Sequence, residues 1–167
     1  PRLLRPRRPD LSFEALDVSE AMLVRARQRD PETEYFAADA AAIPRPDARF
    51  DLVTSCYTTR NFGDLDRAAA EMIRVLRPGG TVVVLDAFPV ASSWLAWFHA
   101  LWMERIVPAV VAPFTDAEAY RYLAASIRDH VPPQRVADAL REGGATDVQI
   151  RRHAMGIARI RATKAEG

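Results

Sequence analysis

The sequence predicts an α/β fold: an open, mostly parallel sheet closed by antiparallel strands at the C-terminal end. Three observations predict it. Short apolar runs alternate with helical patterns from residue 11 to residue 86, as parallel sheets require. In "EMIRVLRPGGTVVVLD" (71–86) a helical stripe hands straight over to a run of β-formers. The chain then finishes with two further strand-like runs, "DVQIRRH" and "GIARIRAT".

"LSFEALD" (11–17) is a first apolar run ending in an acid, and Ser19 is placed to cap the helix "VSEAMLVRARQRD". Met22, Leu23 and Ala26 form one face of that helix, with Arg25 and Arg29 on another. "TEYFAAD" (33–39) is a second strand ending in an acid, and Pro44 and Pro46 break the loop after it. "FDLVTSCY" (50–57) is the third strand. Asp64 is placed to cap the next helix, whose stripe is Leu65, Ala68, Ala69, Met72, Ile73 and Leu76. Pro78 cannot continue that helix, and Gly79 and Gly80 permit the positive φ of a tight reversal. "TVVVLD" is nearly all apolar, the pattern of a strand covered on both faces. A helix is expected over 115–130, and another opened by Pro132 and Pro133 and closed by Gly143 and Gly144.

With 167 residues, 49% of them hydrophobic and 27% charged, the chain has the size and composition of one globular domain. Its positive charge is almost all arginine; Lys164 is the only lysine. No basic stripe is interleaved with aromatics, which argues against nucleic acid as a partner. The cluster in "PRLLRPRRPD" reads as a solvated helix end or an anion contact. Cys56 is the single cysteine, so no internal disulfide forms, in keeping with a cytoplasmic location. Its small side chain suits a buried position. His99, His130 and His153 lie too far apart to suggest a metal site. The apolar stretch 87–103 is interrupted by Pro89, Ser92, Ser93 and His99 and is short for a bilayer span. Trp94, Trp97, Phe98, Leu101 and Trp102 suit core packing, an apolar lid, or peripheral contact with a membrane.

In an open parallel sheet, ligands sit beyond the carboxyl ends of the strands. Asp17, Asp39 and Asp86 each end a strand, and together they suit an adenosine-containing ligand. Each alone would also serve as a helix cap. A nicotinamide oxidoreductase would need G-x-G-x-x-G, and every glycine lies at or after Gly63.

"LDVSEAML" (16–23), "RFDLVTSCYTTRNFGD" (49–64), "AYRYLAASIRDH" (119–130) and "GIARI" (156–160), with the Arg-Pro-Gly-Gly turn, carry a resemblance. The chain resembles the ubiquinone/menaquinone biosynthesis C-methyltransferase family (UbiE type), within the Rossmann-like class I methyltransferases that use S-adenosyl-L-methionine. The resemblance implies Asp17, Val18, Asp39, Ala40 and Cys56 as cofactor-binding residues. It implies Arg60, Asn61, Asp86 and Tyr120 as catalytic ones, with no metal. Asp86, His99, Tyr120 and His130 are the candidates for a base or its relay, and Arg60 for polarising a quinol oxygen unless it pairs with an acid such as Asp64. Thr58, Thr59 and Asp86-Ala87 depart from the family pattern, which leaves open a smaller aromatic or polyketide substrate in place of a prenylated quinol.

The implied organisation is one domain over 1–167: a cofactor-binding half (11–86), a helical substrate-covering insertion (87–131), and a closing helix with strands (132–164). A homo-oligomer is compatible with it. The family's first strand and glycine-rich loop have no counterpart, so the resemblance implies a fold truncated at the N-terminus, with two inner strand edges unpaired and weak cofactor binding. A non-catalytic remnant of the fold is the alternative to an enzyme.

Overall fold

A computed structural model describes residues 1–89 and 126–166. The expected strands and helices are present within those bounds. The chain opens with two single helical turns, closed by Arg5 N–H to Pro1 C=O (2.9 Å) and Arg8 N–H to Leu4 C=O (2.8 Å). Then follow β1 (Glu14–Asp17), α1 (Glu20–Arg29), β2 (Glu34–Ala37), β3 (Phe50–Cys56), α2 (Leu65–Val75) and β4 (Leu76–Ala87). After the segment outside the described residues come α3 (Pro133–Glu142), β5 (Ala145–Arg152) and β6 (Ile157–Lys164). β1 and β2 are shorter than the apolar runs that predicted them.

Both anticipated caps form. The Ser19 hydroxyl accepts from Met22 N–H, and the Asp64 carboxylate accepts from Arg67 N–H at 3.0 Å. Asp64 is therefore a cap and not the partner of Arg60. On α1 only Leu23 is buried, and Met22 faces out, because the two-stranded sheet beside this helix is narrow.

α2 stops at Val75, ahead of Arg77-Pro78, because Leu76 already adopts extended backbone. The loop Arg77–Gly80 bulges out of the pairing: Phe50 faces Leu76, and Leu52 already faces Thr81. Gly79 has φ +73, the conformation that favours glycine. Gly80, expected to share it, does not. Its reason for lacking a side chain is close approach, since a Cβ there would lie 2.8 Å from the Arg77 carbonyl oxygen.

The strands form two sheets among the described residues. One holds β1 and β2 in parallel; the other runs β3-β4-β6-β5, with β3–β4 parallel and β6 antiparallel to both its neighbours. This matches a Rossmann-like sheet, with one difference: no described strand joins β1 to β3. The link between them is made by side chains. Glu14, the first residue of β1, accepts from Arg45 and from Arg49, the residue before β3. Arg45 also binds Glu34 at the start of β2 and lies over the Phe36 ring, 3.9 Å from its centroid.

The main core lies between the four-stranded sheet and the pair α2 and α3. Met72, Ile73 and Leu76 meet Val136 and Leu140 over Val82, Val84 and Ile160. On β4, Val82, Val84 and Asp86 face this core, while Thr81, Val83 and Leu85 are only half-buried, so the strand is not equally covered on both faces. At the crossing of the helices, a Cβ on Gly143 would lie 3.1 Å from the Ala70 Cα, which marks how closely they approach.

Candidate functional site

The residues singled out from sequence fall into two groups. The first is at the carboxyl end of the small sheet. Asp17 is the last residue of β1, and one carboxylate oxygen accepts from Ser19 N–H at 2.8 Å. Asp39 lies just beyond β2, and one of its oxygens accepts from Ala41 N–H at 2.8 Å. In both, the second carboxylate oxygen carries no hydrogen bond among the described residues. Val18 is exposed and Ala40 is buried. Two carboxylates with free acceptor oxygens suit the hydroxyl and amino donors of a nucleoside. The acceptor set therefore fits the nucleoside half of S-adenosyl-L-methionine.

The second group is built where β3 ends. Cys56 closes that strand and is exposed, not buried as its size suggested. Tyr57 then takes φ +57, a left-handed conformation unusual for a bulky residue, and its N–H donates to the Leu85 carbonyl at 2.8 Å. This sharp turn carries a short 3₁₀ segment, Thr59–Asn61, back over the end of β4. Ser55 and Thr58 brace it through their hydroxyls, 2.6 Å apart.

At the centre of this group is Asp86, which is 0% exposed. One carboxylate oxygen accepts from Thr59 N–H at 2.9 Å and from the Thr59 hydroxyl at 2.6 Å. The other accepts from Arg60 at 3.0 Å and from Ala87 N–H at 2.8 Å. A buried carboxylate needs such pairing, because desolvation without it is costly. In this arrangement Asp86 acts on Thr59 and Arg60 and is not open to a ligand. Arg60 has Asp86 as its acid, not Asp64. Its Nε–H is buried without an acceptor among the described residues. Asn61 is exposed on the same segment.

His130 was one of several candidates for a relay, and the fold brings it here from 71 positions away. Its Nε2 lies 3.1 Å from the Thr59 hydroxyl oxygen. The ring stacks on Phe88, with centroids 4.9 Å apart and planes inclined by 16°. Burial pushes the imidazole below its ordinary pKa; Asp86 pulls it up and Arg60 pushes it down. A cavity of about 210 Å³ opens between Thr59, Arg60 and Phe62 on one side and Ser126, Asp129 and His130 on the other. Sequence reasoning marked Thr59 only as a departure from the family pattern beside the Arg-Asn pair; its pairing with Asp86 and His130 comes from the structure. Tyr120, His99 and the Trp94–Trp102 stretch lie outside the described residues, as does most of the helix expected over 115–130.

Comparison with known proteins gives a consistent result. The model of the ubiE/COQ5 methyltransferase family matches residues 2–164. A demethylmenaquinone methyltransferase of Roseiflexus castenholzii is 39% identical over 127 residues, covering 75% of this chain and 53% of that protein. A ubiquinone/menaquinone biosynthesis C-methyltransferase of Methylobacterium nodulans is 35% identical over 167 residues, covering 95% of this chain and 66% of that one. The chain thus spans about half to two thirds of the length of these relatives. Among solved structures, a Thermotoga maritima protein described as a SAM-dependent methyltransferase aligns with a TM-score of 0.65 at 20% identity, covering 98% of this chain and 76% of its own. Human N-acetylserotonin methyltransferase, in complex with SAM, aligns with a TM-score of 0.64 at 14% identity, covering 98% of this chain and 44% of its own. Both share the fold.

Proposed function

The chain belongs to the ubiE/COQ5 methyltransferase family, and we propose that it transfers a methyl group from S-adenosyl-L-methionine to a ring carbon of a prenylated quinol. The methyl donor supplies an activated electrophile, so the protein's contribution is positioning and electrostatics. Asp17 and Asp39 would hold the nucleoside of the donor, with Val18, Ala40 and Cys56 beside it. Asn61 would act on the substrate side, with Tyr120, outside the described residues, as a further catalytic candidate. The observation that carries the reading is the Arg60 guanidinium, fixed by a buried carboxylate on the wall of a cavity. A quinol oxygen that gains negative charge as its ring carbon becomes nucleophilic is the acceptor such a group serves best.

This reading places the protein in the cytoplasm, in contact with the membrane surface where prenylated quinols reside. No helix among the described residues is long and apolar enough to cross a membrane. Thr59, a polar residue on the cavity wall, favours a second reading in which the substrate is a smaller aromatic. Transfer of a labelled methyl group to a prenylated naphthoquinol, measured beside short phenolics, tests both. Preferential labelling of the prenylated ring is the expected outcome. Labelling of short phenolics alone would replace the first reading by the second, and labelling of neither would overturn both.

A further inference from the structure

We propose that Asp86, acting through Thr59, holds the His130 imidazole with its proton on Nε2, leaving the Nδ1 lone pair to accept the proton of a ring hydroxyl bound in the adjoining cavity. The inference rests on the methyl-transfer reading for the identity of that hydroxyl.

The proton on Nε2 follows from counting donors. The Thr59 hydroxyl has one hydrogen and two strong neighbours, the Asp86 carboxylate at 2.6 Å and His130 Nε2 at 3.1 Å. An ionised carboxylate can only accept. The Thr59 hydrogen therefore points to Asp86, and the Thr59 oxygen is left to accept, so His130 Nε2 must donate. A neutral imidazole that donates from one nitrogen carries its lone pair on the other. No hydrogen bond from Nδ1 to a described residue is present. Stacking on the fully buried Phe88 fixes the ring plane. The same Asp86 carboxylate thus sets two groups on the cavity wall, Arg60 directly and His130 through one hydroxyl.

Among the described residues, the charges acting on His130 are Asp86 from β4 and Arg60 from the 3₁₀ segment, and Asp129 lines the same cavity. Before proton uptake, burial and Arg60 keep the ring neutral and competent as a base. After it, Asp86 offsets the new positive charge. In the step itself the O–H bond of the ring hydroxyl breaks, an N–H bond forms on Nδ1, and the electron pair stays on the oxygen beside Arg60. Once the ring carbon has taken the methyl group, its own C–H bond breaks and that proton leaves to solvent as the ring regains aromaticity, and the proton held on His130 returns to the product oxygen.

Two measurements on the whole chain test this. Long-range proton–nitrogen correlation spectra of the labelled protein read the His130 tautomer without any turnover. A neutral ring protonated on Nε2 near pH 7, with mixed tautomers in Thr59→Val and a restored single tautomer in Thr59→Ser, is expected. A ring protonated on Nδ1, or an imidazolium at that pH, overturns the proposal. In kinetics, His130→Asn should lower kcat by roughly 10²–10⁴-fold, the span of general-base contributions. KM for the methyl donor should stay unchanged, and the acidic limb of the kcat–pH profile should vanish. Thr59→Val should lower kcat in a smaller degree, and Thr59→Ser should recover it. Wild-type transfer combined with an unchanged kcat and pH limb in His130→Asn overturns the base role alone. Absence of methyl transfer by the wild type to the carbon of any hydroxylated ring overturns the base role and the functional reading together.

Discussion

At the scale of single residues, the site is organised by one acid that a reader of the sequence would notice and by partners that the same reader would not pair with it. Asp86 stands out because it ends an apolar strand. Its partners sit 27 positions upstream in Thr59, and Thr59 reaches a further 71 positions to His130. No local pattern encodes such contacts; they follow only once β3 and β4 are paired. Cys56 shows the converse error, where small size suggested burial and the strand end left it exposed. The buried imidazole has a consequence for stability. Its pKa is lowered in the folded chain, so below the ordinary value of about 6.5 the unfolded chain takes up a proton that the folded chain resists. Stability contributed by neutral His130 is present above that pH and is lost as pH falls toward the folded-state pKa, by at most about 1.4 kcal/mol per pH unit. Denaturant midpoints at pH 7.5 and 5.5 should differ in the wild type and differ less in His130→Asn. Equal differences would show that the ring takes up its proton freely in the folded state.

At the scale of elements, caps and breakers were the legible part. Ser19 and Asp64 cap where their side chains allow, and the helix α3 runs from its prolines to its glycines. The less legible part was the handover from α2 to β4. The helix ends because Leu76 enters the strand, and the Arg-Pro-Gly-Gly segment is a bulge within β4 and not the tail of the helix. Its two glycines are there for different reasons, and this separates two substitutions. Gly79→Ala imposes a side chain on φ +73 in open surroundings, 3.7 Å from the nearest atom, and should cost about 1–2 kcal/mol. Gly80→Ala pushes a methyl group to 2.8 Å from a carbonyl oxygen of its own bulge, and should destabilise more. Thermal unfolding of the two variants side by side gives the order; the reverse order would mean that backbone conformation, and not crowding, governs the turn.

At the scale of the whole molecule, the alternation of strands and helices was enough to give the fold class, and the antiparallel closing strands were legible from their spacing. The division into two sheets was anticipated only through the family resemblance, since pairing partners are not written in either strand. The small sheet depends on Glu14 with Arg45 and Arg49 for its attachment at the base. Burial alone would push the Glu14 carboxyl up; the hydrogen bonds from Arg45 and Arg49 outweigh it and hold it below the usual carboxylate range. Glu14→Gln should therefore loosen β1 and β2 while leaving β3 to β6 intact. Amide exchange resolved by residue checks this: protection should fall by tenfold or more over 14–17 and 34–37 and stay level over 76–87 and 157–164. A uniform loss across all strands would mean that the sheets unfold as one.

The facing sides of β1 and β3 have a further practical meaning. Each is a row of backbone donors and acceptors that no described strand satisfies, and such rows are adhesive toward any other extended chain. Association through these edges should rise with protein concentration, which light scattering over a dilution series checks; a particle size independent of concentration would show that the edges are covered.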